Sequence, residues 1–334
     1  VIALTASDVA DRIRNARPFP NGGVILTDTV VLRDLDGPPR PRTVTPGRRL
    51  EFVWRGNANV PVFSLQNCRE SSWSRVDVRC DTPCEAVFRA ERTRKEPGTV
   101  PSTMHQFRDV RVFGNGQAAL YGFLWSDTID ANNEHARFES VSVYQCGFAW
   151  AFEGQQSKEH LFTHCRAESC AQGVRAESSF QWLGGTIAVC DVAFELARVG
   201  DPVVIQGAGV EACGRLLVSA GPATDAQSVT LAGVRYAADQ LHADGAMVLL
   251  RHAGPLNVIG GSFGDGAQRP PRIQLAGIGE QACTVVGARF GAFGADRVAP
   301  VAWNPGVRPA LTLTGCTYER AQGAGEHTST TNPT

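Results

Sequence analysis

The apolar positions of this chain recur in one short unit: an apolar residue, a small or apolar residue three positions later, and another apolar residue two further on. Ten copies can be placed, at Trp73/Val76/Val78, Phe107/Val110/Val112, Phe138/Val141/Val143, Phe162/Cys165/Ala167, Trp182/Gly185/Ile187, Ile205/Ala208/Val210, Leu231/Val234/Tyr236, Val258/Gly261/Phe263, Val285/Ala288/Phe290 and Leu313/Cys316/Tyr318. Their first positions are separated by 34, 31, 24, 20, 23, 26, 27, 27 and 28 residues, each step the span of one solenoid coil. The third position of the unit falls where two short strands must meet at a corner. In the last six copies it is Gly184, Gly207, Gly233, Gly260, Gly287 and Gly315, the residue that takes positive φ without steric cost. In the first four it is Arg75, Asp109, Ser140 and His164; Asp and Ser suit tight turns, whereas Arg and His fit poorly.

In four successive coils a cysteine lies three residues past the last apolar position: Cys146, Cys170, Cys190 and Cys213. If coils stack at about 4.8 Å, the spacing of parallel strands, these residues form a buried ladder. Free thiols are expected there, because free Cys packs as a small hydrophobe. The competing reading is disulfide bonding, with Cys80/Cys84 the first candidate pair. A metal site is not expected, since the ladder contains no CxxC pair and no clustered histidines. Strand-like runs continue after the ladder at 148–152, 192–196, 216–218 and 247–250, so each coil holds about three short strands. No ten-residue helical period appears in the repeat.

The expected fold is therefore all-β, a single right-handed parallel β-helix of about ten coils. Residues 1–60 are expected to form the N-terminal cap and first strands, with a short amphipathic capping helix at 8–16 after Ser7. Residues 61–320 form the β-helix and 321–334 a C-terminal tail. Composition agrees: 35 glycines, only two methionines, 43% hydrophobic and 19% charged residues describe a turn-rich chain short of helix formers. A net charge of −1 gives no global attraction for nucleic acid or anionic membrane. No run approaches the roughly 20 apolar residues of a membrane-spanning helix. Residues 1–20 lack the basic start and apolar core of a signal peptide, and a leader or anchoring domain is allowed for outside the chain. Nucleotide-loop, nucleophile-elbow and HExxH motifs are all missing, so no cofactor is expected.

Candidate chemistry lies where coils are longest. The insertions at 89–103 and 121–135 leave neighbouring coils and are expected to border one groove. The second contains Tyr121, Phe123, Trp125, Asp127, Asp130, Asn132 and Asn133. Aromatic faces cover the apolar faces of sugars while carboxylates and amides bond their hydroxyls, so Tyr121, Trp125, Asn132, Asn133 and Arg175 are candidate ligand-binding residues. Core packing of Phe123 and Trp125 is the competing reading. Glu153 and Glu177 each lie seven residues beyond a ladder cysteine and are expected to stack about 5 Å apart, a separation suited to retaining glycoside hydrolysis. With Asp127 and Asp130 they are the candidate catalytic carboxylates; a solvated charge cluster with Arg175 and Lys158 explains the pair equally. His160 and His164 are read as structural.

The coil length, the corner residues, the Phe138/Phe162/Trp182 stack and the cysteine ladder resemble the pectate-lyase-like superfamily of right-handed β-helices, and within it bacteriophage tailspikes and related virion proteins. The similarity covers roughly residues 20–320. The opening Pro20-Asn21-Gly22-Gly23-Val24-Ile25-Leu26, followed by Pro46-Gly47-Arg48-Arg49-Leu50, is similar to the first coils of tailspike proteins. The resemblance implies a virion or extracellular location and a homotrimer. It also implies contact with a cell-surface polysaccharide or with neighbouring virion subunits. A polysaccharide depolymerase, hydrolase or lyase, is the alternative function, and a secreted bacterial adhesin a third.

Overall fold

The structure is a computed structural model that describes residues 2–20, 22–35, 42–43, 48–93, 102–116, 119–126, 133–154, 156–197, 201–219, 228–237, 241–252, 254–265, 272–277, 279–293, 300–320 and 323–326. The chain divides into two compact units, residues 1–174 and 175–334. Both are built as right-handed parallel β-solenoid, with about nine turns in the chain as a whole. The expected count was about ten coils; ten copies of a repeat delimit nine complete steps, which accounts for the difference.

In the first unit three parallel sheets wrap each coil. Representative coil-to-coil neighbours are Val76–Cys80 and Arg111–Phe113 in the first sheet, Cys84–Glu91 and Ala119–Trp125 in the second, and Gln106–Arg108 and Arg137–Glu139 in the third. The first apolar position of the repeat sets the register: Trp73 lies opposite Phe107, Phe107 opposite Phe138, and Phe138 opposite Phe162. Their rings stack at centroid distances of 6.4, 5.3 and 4.8 Å. A second stack, Phe63, Phe88, Phe123 and Trp150, rises from the opposite sheet at 5.1, 5.0 and 6.1 Å. The two ladders meet edge to face, as between Phe88 and Phe107 at 5.1 Å, the arrangement that ring quadrupoles favour.

The second unit uses the same plan with aliphatic filling. Trp182, Ile205, Leu231, Val258, Val285 and Leu313 align in one column, and the first five are fully buried. Its neighbouring strands are parallel except at Thr317–Arg320, which pairs antiparallel with Gly323–Glu326.

Every corner of the repeat is left-handed. The six glycines have φ between 59° and 68°, and Arg75, Asp109, Ser140 and His164 adopt 59°, 51°, 53° and 52°. Arg75 and His164, poor turn formers, are thus forced into the αL well by the strands on either side of them, and the register at these coils is the expected one.

The cysteines explain a second set of corners. Gln145, Ser169, Val189 and Ala212 all have positive φ, and each immediately precedes a ladder cysteine. The thiols of Cys146, Cys170, Cys190 and Cys213 then donate to the carbonyls two residues back, at 3.6, 3.6, 3.4 and 3.4 Å. Cys170 lies one coil above Cys146 in the first unit and Cys213 one coil above Cys190 in the second, as the backbone bonds from Gln145 to Glu168 and from Val189 to Glu211 require. All ten cysteines are buried and free. Cys80 and Cys84 are no exception: their sulfurs are 3.7 Å apart as a hydrogen-bonded thiol pair.

The N-terminal helix spans Ala6–Arg14 and buries Val9, Ala10 and Ile13. Thr5, not Ser7, caps it, because Thr5 Oγ1 accepts from the Asp8 N–H at 3.1 Å while the Asp8 carboxylate accepts from the Thr5 N–H at 3.3 Å. Among the described residues no helix is long and apolar enough to cross a membrane.

Candidate functional site

The two insertions begin later than the spacing suggested. Cys84–Glu91 and Ala119–Trp125 continue as strands of the second sheet with Ala90 opposite Trp125, so Arg89, Tyr121, Phe123 and Trp125 belong to the sheet. Residues 94–101 and 127–132 of the two insertions, and with them the expected groove, lie outside the described residues. Asp127, Asp130 and Asn132 lie outside the described residues.

Sheet geometry separates the aromatic candidates. Phe123 and Trp125 are fully buried. Trp125 packs against Phe138 and Phe152, both at 5.5 Å, so its ring is core and is not presented to a ligand. Asn133 is also fully buried, with Nδ2 donating to the Ser126 carbonyl at 3.1 Å. Proximity in sequence to an insertion did not expose these two side chains, because the strand alternation and the loop base draw them inward.

Tyr121 differs. It is half-buried on the outward side of the second sheet, stacked on Phe148 at 5.1 Å and 22°, over Ala86, Leu124 and Ala151. The register places Ala86, Tyr121 and Phe148 in one column and Ser64, Arg89, Leu124 and Ala151 in the next. Beside this aromatic step lies a polar network. The Arg89 guanidinium holds Glu85 at 2.9 Å and Glu91 at 3.1 Å. Glu91 Oε1 also accepts from Ser64 Oγ and Gln66 Nε2, both at 3.0 Å, and Arg33 Nε donates to Gln66 Oε1 at 2.8 Å. Ser64 and Glu91 are buried, so the groups this network presents beside the two rings are those of Arg33, Gln66, Glu85 and Arg89. Its carboxylates are held by a guanidinium, which suits them to accept hydrogen bonds and leaves them poor proton donors.

The carboxylate pair expected to stack belongs to two units. Glu153 follows Phe148–Phe152 in the first, is half-buried, and its N–H donates to the Trp125 carbonyl at 2.9 Å. Glu177 follows Gln172–Ala176 and lies in the second unit with Arg175. Arg175 Nε approaches Glu195 Oε2 at 3.9 Å, an ion pair along the second sheet.

Two buried histidines are structural. His160 Nδ1 accepts from the Ala136 N–H at 3.3 Å, which leaves Nε2 to donate to Ser157 Oγ at 3.2 Å, and its ring lies 4.0 Å from Phe152. His105 bonds Ser71 Oγ at 2.6 Å and Ser102 Oγ at 3.1 Å. Burial pushes both down to about 3, so both are neutral at physiological pH. His164 is an exposed corner residue. Among the described residues no group of three or more His, Cys, Asp or Glu side chains is placed to hold a metal ion.

One surface feature has no counterpart among the candidate residues of the sequence. In the second unit Val189, Cys190, Asp191, Gly214 and His242 line a shallow cavity of about 270 Å³. His242 Nε2 and Asp191 Oδ1 are 2.8 Å apart across Gly214, where any Cβ would fall 2.7 Å from the imidazole. Asp191 and Gly214 each follow a ladder cysteine, so the repeat already contained their alignment; His242, 51 residues from Asp191, carries no such mark.

No protein-family model matches the sequence, and no curated protein is similar to it.

Proposed function

We propose that the chain is a glycan-contacting solenoid protein of the tailspike kind, working on a virion or outside the cell, and that the outward strip of the second sheet in the first unit makes the contact. The observation that carries this reading is the Tyr121–Phe148 step beside the Glu85–Arg89–Glu91 network. Ring faces take up the apolar face of a pyranose, and the pre-set Gln66 amide, Arg89 guanidinium and Glu85 carboxylate meet its hydroxyls without new side-chain ordering. A strand spacing of about 4.8 Å per coil, close to the length of a sugar residue, suits an extended chain laid across coils. Binding is favoured over cleavage because the strip's carboxylates are committed to Arg89. The resemblance to pectate-lyase-like β-helices supports the same class of ligand.

A panel of bacterial capsular and O-antigen polysaccharides, titrated calorimetrically and then checked for shortened products, tests this. Wild type is expected to bind at least one polymer without cutting it. Tyr121→Ala should weaken binding by about tenfold, the worth of one ring–sugar contact. Absence of binding across the panel, or equal binding by Tyr121→Ala, overturns the proposed strip. Cleavage lost in Glu153→Gln or Glu177→Gln would establish the depolymerase instead.

A further inference from the structure

Of the ten buried, free cysteines, seven donate to the carbonyl two residues back, so their thiols are tied to backbone. Cys80 and Cys84 are held differently: their sulfurs bond each other at 3.7 Å. Cys213 and Cys190 also meet, but across neighbouring coils, and each keeps its carbonyl partner.

The backbone brings this pair together. Cys80 ends the strand Val76–Cys80 and Cys84 opens Cys84–Glu91, so the thiols sit on either side of the bend at 81–83 that passes from the first sheet to the second. Each residue of that bend is pinned. The Asp81 carboxylate accepts from Arg55 Nε and Arg79 Nε, both at 3.0 Å, Thr82 Oγ1 donates to the Gly56 carbonyl at 3.0 Å, and the Pro83 carbonyl accepts from Trp54 Nε1 at 3.1 Å. With the bend fixed, the sulfurs need to approach from 3.7 Å to the roughly 2 Å of a disulfide. The bend itself is at the surface, with Asp81 and Thr82 half-buried and Pro83 exposed, so a small reagent reaches the residues next to both thiols.

We propose that Cys80 and Cys84 are a reversible redox pair, which a small disulfide such as oxidised glutathione converts to a protein disulfide that locks the bend between the first and second sheets of the first unit. Cys84, as thiolate, attacks one sulfur of the small disulfide and displaces the first small thiolate. Cys80 then attacks Cys84 Sγ and displaces the second. Two S–H bonds are lost and one S–S bond is formed, and the two protons end on the two departing small thiols. Cys84 reacts first because it is 2% exposed where Cys80 is fully buried, and because the hydrogen bond to Cys84, with burial, pushes the Cys80 thiol pKa up. The lock is open in a reducing medium and closed in an oxidising one. By reciprocity, a fold that favours the disulfide is itself favoured once the disulfide has formed.

The test equilibrates the full chain with reduced and oxidised glutathione at graded ratios, then alkylates it, digests it with trypsin and measures peptide masses. Cleavage after Arg79 and Arg89 releases the peptide 80–89, which holds Cys80 and Cys84 and no other cysteine. It is expected to carry two alkyl groups from the reduced protein; from the oxidised protein it should carry none and weigh two hydrogens less than the unalkylated dithiol. Dithiothreitol should restore the first pattern. In concentrated urea the same conversion is expected to need a glutathione ratio at least about tenfold more oxidising, because the unfolded chain does not hold the thiols together. The urea midpoint of the oxidised protein should lie above that of the reduced protein, and Cys80→Ser should abolish the difference. The peptide masses need only wild type, so they decide the matter even if that variant does not fold. Both cysteines alkylated at every ratio overturn the proposal. Thiol loss that maps to Cys190 and Cys213 alone overturns it too, as does a pair that oxidises as readily in urea as in the fold.

Discussion

Backbone conformation at single corners carries much of the fold. Gly233 has φ 59° with open space around its missing side chain, so Gly233→Ala meets no steric neighbour and suffers only the αL cost. A loss of about 1 kcal/mol is expected, read by urea denaturation. The converse holds at His164, an exposed residue with φ 52°. His164→Gly should gain up to about 1 kcal/mol by the same measurement, the strain relieved outweighing the added freedom of the unfolded chain. Six of the ten corners were legible as glycines. The other four were legible only by register, because Arg, Asp, Ser and His carry no single conformational signature and are held in place by the strands they join.

At the scale of the strand and its column, the first unit hides polar groups inside an aromatic stack. His105 and His160 stay neutral in the fold until the pH reaches about 3, whereas in the unfolded chain they take up protons near pH 6.5. Above pH 6.5 neither state is protonated and the histidines impose no penalty. As the pH falls from 6.5 toward 3 the unfolded state binds more protons, so stability is progressively lost. Thermal melts of wild type and His160→Phe between pH 7 and pH 4 should show a smaller acid loss in the variant, whose ring continues the stack on Phe152; parallel curves would refute an internal neutral imidazole. The columns also decided which candidate side chains are available. Tyr121 and Trp125 are four residues apart in one strand, yet one faces outward beside Phe148 and the other is sealed among Phe138 and Phe152. Neither sequence distance from an insertion nor alternation, which puts positions four apart on one face, could distinguish them; the packing of Tyr121 against Ala86, Leu124 and Ala151 does.

For the molecule as a whole, the proposed glycan contact lies within the first unit, where rings and ion pairs share one strip. Tyr121→Ala should therefore lower polysaccharide affinity and leave the β-sheet spectrum unchanged. A variant that lost the spectrum as well would show that Tyr121 holds the fold rather than the glycan. What the amino-acid order determined alone was the repeat: apolar spacing, glycine corners and thiols at a fixed offset depend on local periodicity, and a solenoid is local periodicity stacked on itself. What only the tertiary structure decided was which residues of different coils share a face, such as Glu91 with Ser64 and Gln66 or Asp191 with His242. Those neighbours depend on coil lengths that vary from 20 to 34 residues, so no constant offset along the chain encodes them.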